Sequence, residues 1–212
     1  MMLPMFPLPS VFFTGEVVAL HIFEERYKQL IAEVRDIPMT FGIPVYMEGE
    51  IAYGTEMELK QVVKTYKTGA MDIICIGIRS FKVSAFQQTM EGKLYPAGEV
   101  EFISYYNDSV ASLRGNVISL VIELYDLMDV SFFDITTGNF DIYKLIHKIG
   151  LSLAQEYKLL KMTYESERLL FIKGHLTNTI HVLRQVNQSK EMIGMNGHFK
   201  NFDPIDFKNF KI

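Results

Sequence analysis

His21 and Glu24 come nearest to catalytic chemistry in this chain: an imidazole to carry a proton, and a carboxylate three residues on to orient it. Such a site needs a nucleophile, and the single cysteine, Cys75, lies in the apolar run 72–78 (DIICIGI). A thiol there reads as core, because a reactive thiolate needs an exposed, electropositive setting. The simpler expectation is that His21 ends a strand and hydrogen-bonds locally. Glu24 then sits in the first turn of a helix, where the dipole favours an acid. His175 and His181 are six apart, on different faces of a helix, whereas a zinc site needs convergent ligands at i, i+3 or i+4. His147 and His198 add no useful spacing. Arg79 could reach a substrate carboxylate; its ordinary role is an ion pair with Glu16 or Glu24 that locks a strand to the N-terminal turn. We expect no catalytic residue, no metal and no cofactor.

The elements that must position these residues fall in two groups. Pro4, Pro7 and Pro9 hold the opening extended and remove amide donors. Apolar runs at 11–13 and 17–20 flank Thr14-Gly15-Glu16, which reads as a turn. Tyr27, Leu30, Ile31 and Val34 recur at i, i+3, i+4, i+7 and predict one apolar helical stripe. Strands are expected at 41–46 and 52–63, then at 72–78, covered on both faces, and at 80–85, with a last one over 94–103. About six strands and one helix thus fill the first hundred residues.

Helical signals follow from Asn107-Asp108, either of which could cap the first helix. Its stripe is Val110, Leu113, Val117, Leu120, Val121 and Leu124. A loop at 129–138 and a short helix at 141–149 come next. Ser152-Leu-Ala-Gln155 has capping-box form and opens a helix through Lys161. Ser166 is expected to cap a long helix carrying Leu169, Leu170, Leu176, Ile180, Leu183 and Val186. Strands first and helices second make an α+β chain, divided at 1–106, 107–193 and a tail at 194–212. The tail repeats Phe-Lys-Asn-Phe, so Phe199, Phe202, Phe207 and Phe210 either fold onto the body or dock on a partner.

Composition narrows the function classes. Net charge is −4, and the portion through Tyr106 holds nine Lys/Arg against 13 Asp/Glu, which disfavours nucleic acid and anionic membrane as partners. The first basic residue is Arg26, so the N-terminus lacks the positive region of a signal peptide, and no apolar run reaches the ~20 residues of a membrane span. A cytoplasmic protein is expected.

An ordered set of residues resembles the N-terminal, substrate-binding domain of Lon-type ATP-dependent proteases. It comprises Phe6-Pro7-Leu8, Gly15-Glu16, Leu20-His21-Ile22-Phe23-Glu24 with Arg26-Tyr27, Phe41-Gly42-Ile43, Gly54-Thr55, and the run from Gly77 through Arg79 and Phe81 to Val83. Weaker likeness continues through Leu151-Ser152-Leu153 and 167–170 to about residue 188. The resemblance implies a PUA-like mixed β-barrel with one helix, followed by a C-terminal four-helix bundle. It also implies contact with substrate polypeptides and no catalytic residues. The ATPase part of such proteases needs Gly-x-x-x-x-Gly-Lys-Ser/Thr, and here the only Gly-Lys pair, Gly92-Lys93, is followed by Leu94. The expectation is a stand-alone, non-enzymatic module that binds unfolded or extended polypeptide, in a groove between the barrel and the helices or along an exposed strand edge, with a protease or chaperone as further partner. The alternatives are RNA binding through the barrel and an ATP-independent peptidase.

Overall fold

The computed structural model describes residues 1–37, 39–130 and 140–198, the side chains of 194–198 excepted. Phe132 and Phe133, in the stretch expected as a loop, and the tail residues Phe199, Phe202, Phe207 and Phe210, lie outside the described residues. The chain forms two compact units. Met1–Ser109 and Asp141–Arg168 make the first; the described parts of Val110–Phe140 and Leu169–Ile212 make the second.

The first unit is built on six strands: β1 (Met2–Pro4), β2 (Val17–Ile22), β3 (Phe41–Met47), β4 (Glu50–Thr65), β5 (Met71–Gln87) and β6 (Ala97–Phe102). Their order is β1-β6-β5-β4-β3, with β2 against β5, and every ladder is antiparallel. Beyond Pro4 the chain stays extended and runs parallel to β3, with bridges Met5 to Gly42 and Leu8 to Val45. The Phe6 amide donates to Gly42 O (2.8 Å) and the Tyr46 amide to Leu8 O (2.8 Å), which closes the sheet into a mixed barrel. Pro44, which has no amide to give, stands at a register shift in the β3–β4 ladder.

β5 is one 17-residue strand where the sequence predicts two. β4 pairs along most of it, while β2 takes its first half and β6 its second. Opposite Glu56 and Met57 the register jumps from Arg79 to Gly77, so Ile78 is a bulge. The bulge marks the place where the side-chain pattern changes phase, which imitates a strand boundary. Nor is the run 72–78 covered on both faces alike: Ile73 and Cys75 are buried, and Ile74, Ile76 and Ile78 are half-buried.

α1 (Glu25–Asp36) buries the predicted stripe Tyr27, Leu30, Ile31 and Val34. These pack with Phe6, Phe41, Ile43, Met57, Ile73, Cys75 and Tyr95, and the Phe6 and Tyr27 ring centroids are 4.0 Å apart. Each such large side chain contributes about 1.5–3 kcal/mol. A second cluster, Leu3, Met5, Phe81 and Val100, fills the β1–β6 end.

Residues 141–168 complete this unit. The segment expected as a short helix at 141–149 forms two 3-10 turns, Ile142–Lys144 and Ile146–Lys148. The helix Leu153–Lys161 (α3 in chain order) carries the predicted capping box, with Ser152 and Gln155 bonding reciprocally. Aromatic contacts fasten the segment to the barrel: Tyr143 stacks on Phe13 (5.3 Å between centroids), Tyr157 meets Tyr53 edge-on (6.0 Å), and the Tyr105 hydroxyl donates to Leu160 O (2.8 Å).

The second unit contains α2 (Ala111–Leu127) and most of α4 (Glu165–His198). Val117, Ile118, Val121 and Leu124 are buried on α2, and Leu169, Ile172, Leu176 and Ile180 on α4. Leu170 and Val186, placed on the α4 stripe by periodicity, are exposed, whereas Ile172 is buried. Arg184 pairs with Glu123 at 2.5 Å. The cap of α2 also differs from expectation. α2 starts after Val110 with no side-chain cap. Asp108 instead accepts from the Ser166 amide (2.9 Å) and hydroxyl (2.7 Å), so it caps the start of α4, the part expected of Ser166 itself.

Candidate polypeptide-binding edge and its support

The N-terminal turn is held to β5 by two backbone bonds to Gly77. Gly15 takes φ +80°, which a side chain resists, and its amide donates to Gly77 O (2.8 Å). The Gly77 amide in turn donates to Glu16 O (2.9 Å). Pro7 lies in the extended stretch between the two bridges to β3. Phe81 is fully buried beneath Gly42, and Tyr27 packs on Phe6. These residues of the N-terminal motif shape backbone and core.

Of the charged members, His21 lies near the end of β2 and Glu24 at the start of α1, as expected, but Arg79 and Glu16 take partners other than those expected. His21 and Glu24 do not meet. His21 Nδ1 donates to Asp72 Oδ1 at 2.6 Å, its cross-strand neighbour, while Arg26 turns back to Glu24 (2.7 Å). That bond, with a second from the Tyr66 hydroxyl (2.7 Å), holds the Asp72 carboxyl below the usual carboxylate range. The rings against His21 are those of Tyr66 and the exposed Phe23. Burial pushes the Cys75 thiol up to about 12, which leaves it protonated and inert.

Arg79 pairs with neither Glu16 nor Glu24. Its partner is Glu56, directly across the β4–β5 ladder, with Nε to Oε2 at 2.6 Å. Glu56 is only 3% exposed, and its other oxygen accepts from the Thr40 hydroxyl (2.6 Å). The guanidinium lies over the Phe102 ring, 3.4 Å from its centroid.

Glu16 is used by a residue the sequence leaves aside. His147, on the second 3-10 turn, donates through Nδ1 to Glu156 (2.8 Å) and through Nε2 to Glu16 (3.2 Å). Glu16 also accepts from the Phe13 amide (2.9 Å). The imidazole thus ties the N-terminal turn to α3 and lies between two clefts of about 400 and 460 Å³. No local spacing links positions 16, 147 and 156, so periodicity could not find this clamp. The bond to Glu16, aided by Glu156 and opposed by burial, raises His147 to about 9. A folded-state pKa above the unfolded value of about 6.5 contributes stability that is complete below that value and lost as pH rises through 9. The ring is a third open to solvent, so after screening the effect is about 1–2 kcal/mol. Resistance to urea unfolding should therefore fall between pH 6.5 and 9.5 in the native protein and change less in His147→Gln; parallel pH profiles would contradict the clamp.

β4 presents an open edge. Its pairing with β3 ends at Phe41 opposite Met57, and among the described residues 58–65 pair with no strand but β5. Alongside runs a groove of about 550 Å³, floored by Val34 of α1 with Met39, Leu59 and Val62, and rimmed by Arg35 and Lys60. Unpaired strand edges are templates for another chain.

Among the described residues, no group of three or more His, Cys, Asp or Glu side chains is placed to hold a metal ion, and no helix is long and apolar enough to cross a membrane.

Residues 2–186 match the family described as the ATP-dependent protease La (LON) substrate-binding domain. Similar solved structures include a Lon N-terminal domain protein from Xanthomonas campestris, 23% identical over 80% of this chain and 95% of that one, with TM-score 0.60. Another is the N-terminal domain of a Mycobacterium avium complex Lon protease, 14% identical over 84% and 98% of the two chains, with TM-score 0.61. No curated protein matches the chain.

Proposed function

Because this chain belongs to the Lon substrate-binding domain family, we propose that it binds unfolded or extended polypeptide without catalysing a reaction on it. The observation that carries this reading is the open β4 edge at 58–65 beside an apolar-floored groove. An edge offers backbone donors and acceptors to any extended chain, so it reads main chain more than sequence, which suits varied unfolded substrates. The surroundings of His21 support a non-catalytic role. Asp72 orients the imidazole, but the cysteine that could serve as nucleophile is buried and protonated. In the cytoplasm such a module would hold exposed segments for a separate protease or chaperone.

Fluorescence anisotropy with labelled, reduced and carboxymethylated lactalbumin tests the reading. Saturable micromolar-range binding is expected, with native, disulfide-bonded lactalbumin bound far less. Absence of binding at high micromolar protein would overturn it, as would ATP-independent cleavage of the labelled chain. Tight binding of structured RNA with no polypeptide bound would replace it with the nucleic-acid alternative.

A further inference from the structure

We propose that the segment accepted along β4 is a short strand with apolar side chains toward the groove and acidic side chains on its other face. The inference rests on the polypeptide-binding reading and specifies its ligand.

The open stretch, residues 58–65, is long enough for about eight residues, roughly 26 Å, but it is not a regular edge. Register shifts between Leu59 and Gln61, and between Val62 and Lys64, leave Lys60 and Val63 as extra residues on β4. Bulges and lysines on an edge work against indiscriminate pairing. Only a short run of guest backbone can bond here, so side chains decide what stays.

Toward the barrel, the half-buried Leu59 and Val62 pack with Met39 against the core and form the groove floor. A guest side chain on this face loses water to an apolar surface, which favours Val, Leu, Ile or Phe. Away from the floor, β4 and the turn after it carry Lys64 and Lys67, with Lys60 at the groove's rim, against the single acid Glu58 in 58–67, which also lines the groove. Lys60 pairs with Glu58 (2.6 Å), and Lys64 lies over the Tyr66 ring, 4.4 Å from its centroid. The Asp72 across from Lys64 is already bonded by His21 and Tyr66. A cationic edge thus stands in the acidic portion of an acidic chain, and carboxylates on the guest complement it. The same lysines oppose the commonest misuse of an open edge. Two copies joined β4 to β4 would set like charges across the new ladder.

Ten-residue fluorescein-labelled probes separate these terms: one alternating Val and Glu, one alternating Val and Lys, and the Val/Glu peptide N-methylated at alternate amides. The Val/Glu peptide should bind about tenfold more tightly than Val/Lys, a preference that shrinks in high salt. N-methylation on the amides facing β4 should abolish binding. In K60E/K64E, whose substituted side chains are exposed, the preference should vanish or reverse. Equal affinities for the two peptides in both proteins, with unfolded lactalbumin still bound, would overturn this inference and leave the proposed function standing. If neither peptide nor unfolded lactalbumin binds, both fall.

Discussion

Gly77→Ala should destabilise the protein by about 3–4 kcal/mol, although it adds one methyl group. The position is demanding because of what approaches it, since its φ is not positive. An added Cβ would run into the Phe13 carbonyl oxygen, with Phe13 C at 3.1 Å and Thr55 Cγ2 at 3.3 Å. Backbone cannot rotate aside as a long side chain can. Phe13 is also held in place: the Thr55 hydroxyl donates to Phe12 O (2.5 Å), and the Phe13 amide donates to Glu16. Relief would therefore pull the turn from β5, break the bonds among Gly15, Glu16 and Gly77, and displace the carboxylate that His147 grips. Urea unfolding followed by circular dichroism should show a much lower midpoint. Gly115→Ala, where nothing lies within 4 Å, is the control and should be neutral or slightly stabilising. Equal stability of the two variants would mean that the turn is not seated as described.

Arg79→Ala should cost about 2–3 kcal/mol. Removing one partner of a buried ion pair leaves an uncompensated charge, a loss of about 3–5 kcal/mol when both groups are buried. Here Glu56 is buried but the Arg79 side chain is half exposed, so water and the Thr40 hydroxyl recover part of it. Contact with the Phe102 ring is lost as well. The origin of the cost can be separated by a second change. In Glu56→Gln/Arg79→Ala no buried anion remains, so the double variant should be more stable than Arg79→Ala alone. If the double variant loses as much as or more than the single, the charge was not the cause and the ring contact was.

What the sequence could reveal follows the range of each interaction. The α1 stripe was legible because i, i+3 and i+4 neighbours lie on one face wherever the helix sits, and Tyr27, Leu30, Ile31 and Val34 are all buried. The Ser152–Gln155 box was legible for the same reason: both partners fall within one turn. The sequence points Arg79 to Glu16 or Glu24, because its real partner depends on β4–β5 register, and a one-residue bulge at Ile78 sets that register. Asp108 reads as a local cap and serves a helix that begins 57 residues later. The His147 clamp and the place of the open edge on β4 are the least accessible. The first joins three distant positions through the tertiary fold; the second exists only because β3 stops short of β4's full length.

The barrel's closure carries a consequence for synthesis. β1 is made before all the other strands, yet its ladder partner is β6, with Met2 opposite Glu99 and Pro4 opposite Ala97. The parallel bridges from Met5 and Leu8 wait for β3. Leu3, Met5 and Phe6, all buried at the end, therefore leave the ribosome well before the strands that shelter them. Over that interval Pro4, Pro7 and Pro9 matter in another way. They keep the nascent segment extended and short of amide donors, so it has little to offer a wrong strand while the right ones are still being made.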